Sequence, residues 1–217
     1  MSDTMLNDPT DPNPALNRRK LLLGGGLGAL AVVAAACGGE EAAGPAGTGD
    51  TTTTAGGAAP GGDDVATAKL AASLEVLAVN TYDAALKAPL DYPEAVATFA
   101  TTAKEHHQAA LDAWNGLLTS LGEQEVTTPP SDLEMTVNTA FGEVTDVPGV
   151  AQLALMLEGI AADTYLGAIS SIANPQALEL ATTIQPIDMQ HVAVLRYVMG
   201  EYPVPDTFAD TSDAYTG

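Results

Sequence analysis

The sequence predicts an all-α domain: a four-helix bundle built from two helical hairpins joined by one long crossover. Helix start and stop residues divide residues 63–200 into four long segments of helical periodicity, and strand signals are absent. The stretch Leu74–Tyr82 returns 83 residues later as Leu157–Tyr165, so the first and third segments are copies. In both copies the positions Ala, Glu, Ala, Tyr, Ala recur at heptad spacing, 71-75-78-82-85 and 154-158-161-165-168. Two turns separate each Glu from its Tyr, so both project from one stripe of an otherwise apolar helix.

Each element has its own punctuation. Asp63-Asp64 is a cap pattern for the first helix, which must end before Pro89. Pro93 opens the second, which runs to Gly122. Asp146 and Pro148 open the third, which closes near Asn174, and Pro175 opens the fourth, which ends at Gly200. The joints at 88–92 and 173–175 are short, so each joins antiparallel neighbours. Residues 123–147 form the long connection; within it Ser131-Asp132-Leu133-Glu134 is a capping-box pattern that predicts a short helix over 131–142. Pro186 should kink the fourth helix just before Asp188.

The flanks read differently. Arg18-Arg19-Lys20, an apolar run and Ala34-Ala35-Ala36-Cys37 describe an export signal over residues 1–36. The paired arginines resemble a twin-arginine signal, and Ala-Ala-Cys resembles a bacterial lipobox with Cys37 as the lipidated residue. Cys37 is the only cysteine, so a lipidated Cys37 leaves no thiol for a disulfide, a metal or catalysis. Residues 37–62 follow as a flexible tether rich in Gly, Ala and Thr, spanning about 25–30 Å if coil-like. The bundle occupies 63–201, and 202–217 is expected to be an irregular tail. These features predict an exported protein of a bacterial cell envelope, anchored to the membrane by lipid, and monomeric or weakly self-associating.

A formal charge of −21, with only seven Lys and Arg, excludes nucleic acid as a partner, because phosphate binding needs basic clusters. No Gly-rich phosphate loop precedes a strand, and no Ser-His-Asp or Cys-His set can be assembled.

Polar residues in the middle of the helices carry the functional reading. Glu75, His106 with His107, Glu158, and Asp188 with His191 sit at matched levels of the four helices, so packing should bring them together in the core. Asp188 and His191 are three residues apart on one face, which lets a single helix offer two ligands. On the second helix Val96, Phe99, Ala100, Ala103, Ala110 and Trp114 mark a buried face that includes His106 and His107; Glu105 belongs to the wet face with Gln108 and Asp112. An unpaired buried carboxylate costs several kcal/mol. Protonation, pairing with His, or a cation must resolve it.

This connectivity, with its paired Glu–Tyr stripes and the Asp188-x-x-His191 pair, resembles the ferritin-like superfamily over residues 63–200. The similarity is strongest to an exported bacterial group akin to desiccation-related proteins. The resemblance implies a metal centre holding iron or manganese, with oxygen or peroxide chemistry; carboxylate and imidazole ligands also suit zinc. It implies Glu75, Glu158, Asp188, His191 and one of His106 or His107 as ligands, with Tyr82 and Tyr165 as outer donors or radical traps. The chain departs from the family in two places. Asp188 stands where the family has Glu, and Lys104 falls where the second helix should offer an acid. Three functions remain distinct: a metal enzyme or iron-handling protein, a non-catalytic envelope protein with a degenerate site, and an acidic cation-buffering surface module.

Overall fold

The computed structural model describes residues 62–217. The expected export signal, Cys37 and the tether as far as residue 61 lie outside the described residues. Five helices follow in order: α1 Gly62–Lys87, α2 Glu94–Ser120, α3 Ser131–Gly142, α4 Val147–Ile169 and α5 Pro175–Val198. No strand occurs among the described residues, and no described helix is long and apolar enough to cross a membrane.

Helix α1 packs mainly against α2, and α4 against α5, as two hairpins. The hairpins meet through α1 against α4 and α2 against α5. The end of α1, the start of α2, the start of α4 and the end of α5 all line one cavity, so they share one end of the bundle. Helices α2 and α4 therefore run parallel, and the connection between them spans the bundle's length. Helix α3 lies within that crossover. Its Leu133 and Val137 pack on Leu74 and Leu77 of α1 and on Leu153 and Leu157 of α4.

Local chemistry explains most boundaries. Asn174 accepts from the backbone N–H groups of Gln176 and Ala177, with Pro175 at the first helical position of α5. Asp146 accepts from Gly149 N–H at the start of α4. Helices α2 and α5 close through Gly122 and Gly200, each at φ +81°, where a side chain would be strained. Glu123 N–H bonds Leu118 O at 2.9 Å and Glu201 N–H bonds Arg196 O at 2.9 Å, which satisfies carbonyls left open by the helix ends. Helix α5 passes through Pro186 without ending.

Two expected caps are used differently. Ser131 is not a cap: Pro130 occupies that position, no side chain closes the turn, and Ser131 is already helical. The ring of Pro130 fixes its φ at −63°, its ψ is extended at 122°, and its carbonyl accepts from Glu134 N–H, so the helix begins one residue early. Asp64 is buried, and its two carboxylate oxygens accept from Ala173 N–H at 2.9 Å and Asn174 N–H at 2.8 Å. An acid at the start of the first hairpin thus fastens the loop of the second.

The tail 202–217 is irregular but not detached. Tyr215 N–H donates to Thr164 Oγ1, its hydroxyl donates to Asp132, and its ring packs on the α1–α3–α4 cluster.

Asp64→Ala should cost about 1–3 kcal/mol, because it strands two backbone donors at a buried joint. Asp63→Ala, at an exposed position, should stay within about 0.5 kcal/mol. Urea unfolding of the two variants measures the difference.

Candidate metal centre

Both repeated glutamates are buried at 1 % exposure, as is Asp188, so three carboxylates share one dry core. The antiparallel α1 and α4 set the two Glu–Tyr stripes head to tail. Tyr82 Oη donates to Glu158 Oε1 at 2.5 Å, and Tyr165 Oη donates to Glu75 Oε1 at 2.5 Å. Each tyrosine serves the glutamate of the other copy, and the pseudo-twofold axis passes between them.

His107 joins the two halves. Its Nδ1 lies 2.8 Å from Glu75 Oε2 and its Nε2 lies 3.1 Å from Glu158 Oε1. Burial works against its charged form. The charge of Glu158 and the bonds to Glu158 and Glu75 outweigh that and hold its pKa well above the usual value. Burial likewise works to raise Glu158, but the charge of His107 and the bonds from His107 and His191 bring it down to about 2. Both tyrosines keep their protons, through burial first and then the neighbouring carboxylate charge.

The opposite side of the site is less complete. His191 Nδ1 lies 3.1 Å from Glu158 Oε2, and its Nε2 lies 3.0 Å from His106 Nδ1, with the two rings nearly parallel at 10°. His107 is thus the buried one of the adjacent pair; His106, expected on the buried face, is exposed at its edge and reaches the site only through His191. The helical period explains this: residue 107 shares a stripe with Ala100, Ala103, Ala110 and Trp114, all buried, and 106 lies one residue, about 100°, round. Glu105 is exposed, as its place on the wet face predicts.

Asp188 has no bond to its Oδ2 although that atom is buried. Burial and the nearby charge of Glu75 push its pKa well above the usual range. Ligand atoms from His107, Glu158, Asp188 and His191 all lie within 4.8 Å of one another, the spacing of a cation site. Glu75 and His106 fall outside that group. The nitrogens that face Glu158 are Nε2 of His107 and Nδ1 of His191, while their other nitrogens face Glu75 and His106. That is the arrangement of a ligand imidazole oriented by an outer acceptor.

Lys104, at the position equivalent to Asp188, turns away and pairs with Asp83 at 2.6 Å. Trp114 had only a core role in the sequence, yet its Nε1–H donates to Tyr165 Oη at 2.7 Å. Its spacing of seven from His107 was the available signal. The two donations, Trp114 to Tyr165 and Tyr165 to Glu75, form one buried chain that ends at His107.

Residues 63–201 match a family model described as a ferritin-like domain. No curated protein and no solved structure matches the chain.

In chelator-treated protein near neutral pH, Asp188→Asn should stabilise the fold by about 1–3 kcal/mol, because it removes a buried acid held against its usual ionisation. A raised folded pKa lowers stability once pH climbs above the unfolded value of about 3.9, so the gain should disappear below about pH 4. Glu158 has the opposite sign. Its contribution is present above the unfolded value and is lost as pH falls towards about 2. Glu158→Gln should cost about 3–5 kcal/mol, since it breaks a buried pair with His107. Thermal melts of both variants across pH check the two signs.

Proposed function

The chain belongs to the ferritin-like family, and on that premise we propose that its core binds one iron or manganese ion for metal handling or oxidative protection. The observation that carries this reading is Asp188, which belongs to the cluster of four converging ligand residues and keeps a buried oxygen, Oδ2, with no partner. A donor set of two imidazoles and two carboxylates fits iron or manganese, and also zinc. His107, Glu158, Asp188 and His191 would hold the ion, with His107 releasing its Nε2 proton to solvent as the ion binds. When bound, iron or manganese supplies one-electron chemistry towards oxygen or peroxide.

The chain's own residues have defined parts. Glu75 orients His107 so that Nε2 faces the ligand group, and His106 does the same for His191. Tyr82 donates to the Glu158 oxygen that also meets His107, and Tyr165 to the Glu75 oxygen that His107 does not reach. One ion rather than two is favoured by Lys104. A second site would need an acid there, and the lysine is committed to Asp83. Glu75 is also committed, one oxygen to Tyr165 and the other to His107.

The reading without metal has its own support: Glu75, Glu158, Tyr82, Tyr165 and His107 satisfy one another. On that reading the bundle is a non-catalytic envelope protein with a degenerate site. Calorimetric titration with ferrous or manganous ion separates the two. We expect one ion per chain, no binding in Asp188→Asn or His191→Ala, and binding about 10–100-fold weaker in Glu75→Gln. A saturating ion at 100 times its Kd should stabilise the wild type by about 2.7 kcal/mol. No binding, with a melt indifferent to chelator, would favour the degenerate site.

The envelope location rests on Arg18-Arg19-Lys20, the apolar run and Ala35-Ala36-Cys37. Cys37→Ser should move the protein from the membrane to the soluble fraction; a variant that still sediments with membrane contradicts the lipid anchor.

A further inference from the structure

At the end of the bundle away from Asp64 the helices line a partly open cavity of about 900 Å³, within the range of small-molecule sites. The space exists because its floor is made of alanines. Ala85 of α1, Ala100 of α2, and Ala151 and Ala154 of α4 are all buried and all line it. Larger aliphatic side chains at these positions would close the layer.

The inner wall belongs to the site. Tyr82 lines the cavity while its hydroxyl donates to Glu158, and its ring lies on His107 with centroids 5.7 Å apart. Phe99, also in the wall, stands edge-on to His191 at 5.8 Å. A molecule in the cavity would touch aromatic rings that themselves contact both buried imidazoles.

Charge excludes an anionic occupant. The lining holds two acids, Asp146 and Glu201, and no Lys, Arg or His. An anionic head group would meet repulsion and find no counter-charge. Shape argues against a second protein chain: the floor alanines are at most 8 % exposed, too deep for an opposing helix face to reach.

We propose that this cavity is a binding site for a neutral hydrophobic small molecule, held against Tyr82 and Phe99 next to the buried His–Glu cluster. Binding does not require the metal, so it stands or falls separately from the ion.

The test uses the full chain and two dyes, neutral phenylnaphthylamine and anionic anilinonaphthalene sulfonate, by fluorescence titration with and without chelator. The neutral dye should bind at one saturable site, with the anionic dye about tenfold weaker or more, and chelator should leave the neutral dye bound. Ala154→Phe should fill the floor, and Ala95→Trp, at the exposed mouth, should block entry without touching the core. Each should weaken the neutral dye about tenfold or more. Phe208→Ser, a control at an exposed apolar residue outside the cavity, should change nothing. The proposal is overturned if the neutral dye does not bind or the two dyes bind equally. It is equally overturned if Ala95→Trp leaves binding intact, if Phe208→Ser abolishes it, or if light scattering shows a dimer that Ala95→Trp dissociates.

Discussion

A single imidazole between two buried glutamates is the interaction on which the rest of this bundle depends. His107 reaches Glu75 on α1 and Glu158 on α4 from α2, so three of the four long helices converge on one ring. Two carboxylates in so dry a core would otherwise repel each other and lose hydration worth several kcal/mol each. The ring, held in its charged form by that same pair, and the crossed tyrosines answer both problems. In chain order the two glutamates are 83 residues apart, so this contact ties the two hairpins together across the longest loop.

The symmetry around His107 is real but broken, and the break falls within the cluster of converging ligand residues. The twofold repeat relates Glu75 to Glu158, Tyr82 to Tyr165, and His107 to His191. It also relates Lys104 to Asp188, a cation to an acid. On the Lys104 side the charge is discharged at the bundle's edge against Asp83. On the Asp188 side a third buried carboxylate is added to a network that one imidazolium already shares between two. Within this network one buried oxygen, Asp188 Oδ2, lacks a partner, and a bound cation is the component that would supply one. The same geometry divides the polar residues into four whose atoms converge and two, Glu75 and His106, that face the backs of the converging imidazoles.

Much of this was legible in the sequence because it is periodic. The heptad recurrence of Glu and Tyr marked α1 and α4, and proline and glycine marked the helix ends; the described helices fall within a few residues of those marks. What the sequence left open was contact between helices. The coarse apolar face of α2 took in both His106 and His107; the narrower buried stripe of Ala100, Ala103, Ala110 and Trp114 includes 107 and leaves 106 about 100° round at the edge. Glu75 and Glu158 occupy equivalent repeat positions, so no pattern could show that one lies among the ligand atoms and the other behind His107. Asp64 read as a local cap, because sequence patterns describe neighbours in the chain; its partners are more than 100 residues away. Ser131 was a well-formed capping box that a preceding proline pre-empted. The cavity at the far end of the bundle had no sequence signal beyond alanines, which are equally the mark of close packing.

Anomalous diffraction from crystals of the protein purified from its native compartment tests the central claim most directly. The account predicts one peak per chain, bounded by His107 Nε2, His191 Nδ1, Glu158 and Asp188, with metal–ligand distances of about 2.0–2.2 Å. Glu75 should remain bonded to His107 and Tyr165, outside the coordination sphere. A core without an anomalous peak, in which Asp188 Oδ2 instead bonds an ordered water or a neighbouring carboxylate through its own proton, would contradict it.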